Sequence, residues 1–227
     1  MCKEIEKQMS DKCKKLWGNG INALWNDGTK EDWETCLAGY WLCVKPENYL
    51  IEKYFECQFN AEMVKQMLPS EFYQFLRDSY FHWKFTAKHH LATTRQQLER
   101  YNTENKLADL AKVKDELFSF DKVIIYDGLS IAKKIHGLAT IGASGLLAVL
   151  FPEYFCTVDM FVVERLQEIK DLPQHDRLLK MHKGNLELRD GIFLINIMRD
   201  KAKKIGLRPR DIDKVLWCFG RKFKTQH

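Results

Sequence analysis

The stretch Leu138-Ala-Thr-Ile-Gly-Ala-Ser-Gly-Leu-Leu-Ala-Val-Leu-Phe-Pro-Glu-Tyr-Phe-Cys-Thr-Val-Asp-Met-Phe-Val-Val163 decides the fold. It reads as a helix end, a glycine-containing hairpin, an apolar helix, a short loop, and a lone Asp159 that opens another helix. A tight turn feeding a helix leaves the first-turn N–H groups without intrahelical acceptors. Those groups aim outward, where they can hold a phosphate.

Working outward from that stretch, helical periodicity dominates in both directions. Residues 3–17 carry Ile5, Met9, Cys13 and Leu16 at helical spacing. The turn Trp25-Asn-Asp-Gly28 leads to Thr29, an N-cap with acids at 31 and 32, and the helix it opens ends before Pro46. Pro46 suits the first turn of a further helix through residue 57. A pair of helices spans 60–85, broken at Pro69, with an aromatic stripe at Phe72, Phe75, Tyr80 and Trp83. Helices follow over about 87–101 and 103–117, and Val123–Tyr126 reads as a helix end rather than a strand. Beyond the hairpin region, helices are expected from about 159 to 170, 185 to 206 and 209 to 223, punctuated by Pro173, Gly206 and Pro209. No linker or internal repeat interrupts this pattern. The expected fold is one all-α unit over 1–227, with possible lobes at 1–79 and 80–227.

Composition narrows the classes. Of 227 residues 45% are apolar and 30% charged, and Phe, Tyr and Trp number fourteen, eight and six, enough for a packed core. No apolar run approaches the roughly 20 residues of a membrane span. The charged N-terminus has no apolar signal core, so a cytoplasmic protein is expected. Seven cysteines without a Cys-x-x-Cys spacing fit reduced thiols and give no footing for a zinc ribbon or iron–sulfur cluster. The net charge of +5 is uneven, because Arg199–His227 holds ten basic and three acidic residues, +7 in all. Such a basic end suits a polyanion or a solvated helix face equally. Phosphate-loop, dinucleotide, zinc-protease and serine-hydrolase motifs are absent, and no cofactor or metal is expected.

Leu138-Ala-Thr-Ile-Gly142, the apolar helix after it, and Thr157-Val-Asp159 at the next helix start together resemble the helix-hairpin-helix DNA glycosylase superfamily. Tyr80-Phe-His-Trp-Lys84 and Arg210-Asp-Ile-Asp-Lys-Val-Leu-Trp217 are similar to an uncharacterised branch of it. The resemblance implies a two-lobed, all-α glycosylase-like fold that binds double-stranded DNA without regard to sequence. It covers about 80–217 thinly and leaves 1–79 unmatched.

What the resemblance implies differs from residue to residue. The second hairpin glycine falls on Gly142, whose flexibility would close the turn, whereas the first falls on Thr140. The turn and helix start over Thr140, Ile141, Gly142, Ala143 and Ser144 form the expected DNA-phosphate contact. The lysine of strand-cleaving members falls on Ser144 or Gly145, so any enzyme here would be monofunctional. Asp159 takes the place of the catalytic aspartate, which stabilises the sugar as the base departs or orients a water. An Asp before an apolar helix is also an ideal N-cap, and one residue can fill both roles. Trp83 and Lys84 form a second cluster that could stack a base and hold its phosphate, though Trp83 also continues the core stripe. Lys201, Lys204 and Arg208, at steps of three and four, form one stripe for phosphate neutralisation or for solvent. Two other functions remain open: a DNA-binding protein of this fold without chemistry, and a helical protein-interaction module.

Overall fold

The computed structural model describes residues 11–222, with side chains to residue 220, and within them every regular element is a helix and no strand occurs. None of these helices is long and apolar enough to cross a membrane. Ile5 and Met9 of the first expected helix, and the basic side chains beyond residue 220, lie outside the described residues.

Helix α1 (Asp11–Asp27) buries Cys13, Trp17, Ile21, Leu24 and Trp25, and is kinked at Gly20. Thr29 then caps α2 (Lys30–Ala38) through a reciprocal pair of bonds with Asp32, as its sequence foretells. After α3 (Tyr40–Cys43), Pro46 opens a single 3₁₀ turn that leads into α4 (49–58). Asn60 caps α5 (Ala61–Gln66), and Pro69 stands in the first turn of α6 (69–84). Within α6 the segment Phe75–Tyr80 is a π turn, which inserts a residue and resets the phase of the aromatic stripe. Phe72, Phe75, Leu76, Tyr80 and Phe81 are buried, while Trp83 and Lys84 lie at the edge of the core.

Helices α7 (Lys88–Thr103) and α8 (Leu107–Ser119) lead to a departure from the expected pattern. Val123–Tyr126 does not end a helix: Val123 and Ile124 lie in an exposed loop, and α9 (Ile125–Ala132) begins there. The hairpin joins α9 to the apolar α10 (Thr140–Leu150), and an extended segment leads on to α11 (Met160–Gln167). A short helix, α12 (His175–Leu179), follows Pro173 and has no counterpart in the sequence reading. Helix α13 (Leu188–Ile205) ends at Gly206, whose left-handed φ of 73° closes its last turn.

Helix α14 (Pro209–Lys222) is the spine of the molecule, packed against α11, α13, α1, α2 and α3. Its Ile212, Val215, Leu216 and Cys218 are fully buried. The first helices of the chain thus pack on the last, and one connected core runs from Cys13 to Phe219.

The turn glycine of the hairpin is Gly137, at φ 92°, and not Gly142. Gly142 sits within α10 with a helical backbone; its missing Cβ makes room for Leu138 and Phe85 instead of freeing a turn. A Cβ on Gly137 would stand 2.8 Å from the Thr94 carbonyl oxygen of α7. Gly137→Ala therefore combines backbone strain with a clash against fixed backbone. It is expected to cost about 1–3 kcal/mol, read as a lower urea midpoint. An unchanged midpoint would mean that the hairpin is not held against α7.

Candidate functional site

A cavity of about 170 Å³ opens where α3, α4, α6, α11 and α14 meet. Tyr40, Trp83, Phe161 and Trp217 give it aromatic walls, and Lys84, Asp159, Arg210 and Asp213 give it charge.

The floor is an ionic network on the first turns of α14. Arg210, 5% exposed, donates to Glu56 Oε1 at 2.8 Å and to Asp213 Oδ1 at 2.7 Å. Lys214 Nζ reaches the other oxygen of Glu56 at 2.7 Å. Glu52, also buried, accepts from Trp83 Nε1 at 2.7 Å and from the Tyr40 hydroxyl. Burial disfavours the Glu56 anion, but Arg210 and Lys214 outweigh it and hold the carboxyl down to about 2. Asp213 goes the other way: burial pushes it up to about 7 against the opposing pull of Arg210 and the Thr157 N–H.

This network holds the segment that presents Asp159. Asp213 accepts the Thr157 N–H, and Arg210 Nη1 donates to Thr157 Oγ1 at 3.3 Å. One residue on, Ser144 Oγ of α10 accepts the Val158 N–H at 3.0 Å. With two successive N–H groups fixed, Asp159 stands in extended backbone and caps α11 by accepting from Val162 N at 3.1 Å. Its capping role is therefore realised, and its carboxylate also lines the cavity.

Lys84 comes to the same place from the end of α6. Its Cδ and Cε pass over Gly145, at 3.0 and 3.1 Å from where a Cβ would be, so glycine there makes way for the lysine arm. Burial lowers the Lys84 pKa, against the opposing influence of Asp159 and Asp213. Trp83 is held on several sides, by Phe55 at 5.2 Å, Tyr80 at 5.9 Å and the Arg210 guanidinium at 5.4 Å. It is both a core residue and a wall of the cavity.

The other sequence-predicted residues lie elsewhere. Thr140, Gly142, Ala143 and Ser144 are buried and Ile141 is half-buried. Thr140 packs against Gly191 of α13, Gly142 accepts from the Tyr80 hydroxyl, and Ser144 is a positioning residue. The first turn of α10 has no side-chain cap. Lys201, Lys204 and Arg208 do not make one exposed stripe. Lys201 is 5% exposed, bonded to the Trp25 carbonyl and set 5.4 and 5.3 Å from the Trp25 and Trp33 rings. Arg208 lies beyond the end of α13 and is paired with Asp211 at 2.8 Å, leaving Lys204 exposed.

Among the described residues of the basic C-terminal end, Lys201, Arg210 and Lys214 are thus spent inside the molecule. Arg210 and Lys214 are buried against acids, and Arg199 donates to the carbonyls of Tyr154, Val123 and Lys122. Sequence reasoning missed Glu52, Asp213 and Trp217 as cavity residues, and Glu56 as the anion that binds Arg210 and Lys214. The available signal was Arg210, Asp213 and Lys214 at steps of three and four among the apolar positions of one helix. Compared with known families, curated proteins and solved structures, the chain matches none.

Proposed function

We propose that this chain binds double-stranded DNA without sequence preference, draws a base out of the stack into the Asp159 cavity and cleaves its N-glycosidic bond, as a monofunctional glycosylase-like protein. One observation carries this reading. Asp159, Trp83 and Lys84, singled out in separate parts of the sequence, line a single cavity. Its volume is that of a ring-sized site, since cavities of about 150 Å³ accept a benzene. Extrusion costs a few kcal/mol and is easiest at a damaged or unpaired base.

In the cleavage step the C1′–N bond breaks and its electron pair leaves with the base. The Asp159 carboxylate faces the positive charge that develops on the sugar. Water then adds at C1′, and the proton it loses balances the one the departing base requires.

The test is fluorescence anisotropy on duplexes with and without an abasic-site analogue, over a range of salt. Because the contact is made to phosphates, affinity is expected to fall as salt rises. The abasic duplex is expected to bind more tightly than the intact one. Absence of binding at low salt would overturn the proposal.

A further inference from the structure

We propose that a second cavity, set between α13, the last turn of α1 and the loop before α12, binds the phosphate monoester of a small polyhydroxy compound, with Lys201 and Lys204 holding the phosphate. This cavity has a volume of about 300 Å³ and shares no lining residue with the Asp159 cavity. Its ligand is separate from the DNA of the reading above.

Three features of the site carry it. First, Lys201 is buried without an anion: it donates to the Trp25 carbonyl and lies 5.4 and 5.3 Å from the Trp25 and Trp33 rings. An ammonium has three donors, and no acceptor among the described residues takes the other two. One carbonyl and two ring faces offset only part of what it costs to remove the charge from water. Second, Lys204 follows at a step of three on α13, so two cations share one face, where like charges repel. Lys204 is exposed and, like Lys201, has no carboxylate within ion-pair distance among the described residues. Burial and the Lys204 charge both lower the Lys201 pKa, an effect that an anion between the two lysines would reverse. Third, the two acids that line the cavity are set apart from this pair. Asp171 accepts from Asn26 Nδ2 at 2.8 Å, and Asp200 is exposed on α13.

The donor set selects the ligand. Two ammonium groups without a guanidinium fork suit a compact dianion better than a planar carboxylate. A phosphate monoester, with a charge of about −1.5 to −2 at pH 7, matches them. A backbone phosphate of DNA carries a single charge and fits the pair less well. The cavity is larger than a phosphate group, and Trp25 and Leu172 give it an apolar wall, so an organic body fits beside the anion. Ionised Asp171 and Asp200 only accept hydrogen bonds and repel further negative charge. Hydroxyl groups on that body are what they can bind.

The test is isothermal titration calorimetry of the full chain at pH 7 and fixed ionic strength, with glucose 6-phosphate, inorganic phosphate and glucose as separate probes. Glucose 6-phosphate is expected to bind saturably and more tightly than inorganic phosphate, and glucose alone not to saturate. Lys204→Gln, an exposed change, should weaken glucose 6-phosphate at least about tenfold, as the loss of one hydrogen bond to a charged group does. Lys201→Met keeps the apolar stem and should abolish binding. Unchanged affinity in Lys204→Gln overturns the proposal even if Lys201→Met fails to fold, and so does the absence of saturable binding by either phosphate. Equal affinities for glucose 6-phosphate and inorganic phosphate overturn the polyhydroxy ligand. A duplex that displaces glucose 6-phosphate would put backbone phosphate on these lysines and overturn the small-molecule site. A duplex that binds without displacing it supports two separate sites.

Discussion

Glu56→Ala is expected to destabilise the protein by about 3–5 kcal/mol, because it leaves two buried cations without their shared anion. Glu56 binds Arg210 and Lys214 with separate oxygens, and both cations are nearly inaccessible to water. Deleting the carboxylate removes no large volume, so the loss is electrostatic: the charges cannot recover hydration without opening α4 from α14. Glu56→Gln keeps the shape and one acceptor, and should lose less. Equal losses in the two variants would mean that packing, not charge, holds this joint. Urea unfolding of the three proteins side by side decides it.

The same network sets a pH dependence. The Glu56 carboxyl is held at about 2 in the folded protein, against an ordinary value of 4.5. Its contribution, roughly 3 kcal/mol, is therefore present above pH 4.5 and is lost as pH falls toward 2. Asp213 behaves oppositely, since burial raises it to about 7 from 3.8. What it contributes is present below about pH 4 and is lost as pH rises through 7. Stability from this pair accordingly peaks near pH 4. Glu56→Gln should flatten the acid side of that profile and Asp213→Asn the neutral side.

Asp159→Asn is expected to lower base excision by about 10²–10³-fold while leaving the melting temperature unchanged. Asparagine caps a helix as well as aspartate, so the bond from Val162 survives the substitution. The charge that would face the sugar does not survive it, and an electrostatic contact of this kind is worth a few kcal/mol in a dry site. Asp159→Ala should show the same loss of excision together with a stability loss of about 1 kcal/mol from the missing cap. If Asp159→Asn excised every lesion as fast as wild type, Asp159 would be a cap and nothing more.

Much of the helical layout was legible from local signals. Thr29 with Asp32, Pro46, Pro69, Gly206 and Pro209 each mark a helix boundary where the structure has one, because capping and φ restriction act within a few residues. Asp159 was legible as a cap for the same reason. The turn glycine was misplaced, since Gly137 is distinguished only by its φ and by the Thr94 carbonyl packed against it, and neither is visible in a pattern of residue types. The loop at Val123 and Ile124 was misread because exposed apolar residues break the rule that ties hydrophobicity to burial.

By itself, then, the sequence determined an all-helical chain, most of its helix boundaries, and an acid presented at the start of α11. Tertiary structure alone decided which charges face water. Lys201, Arg210 and Lys214 read as members of a cationic surface, yet they are buried, and Arg210 finds Glu56 154 positions away along the chain. A charge enters the interior only when a partner from elsewhere in the fold offsets its desolvation. That condition depends on how the helices pack, and no periodicity along one helix can reveal it. The same holds for the cavity, where α6 and α14 bring Lys84 and Arg210 beside Asp159.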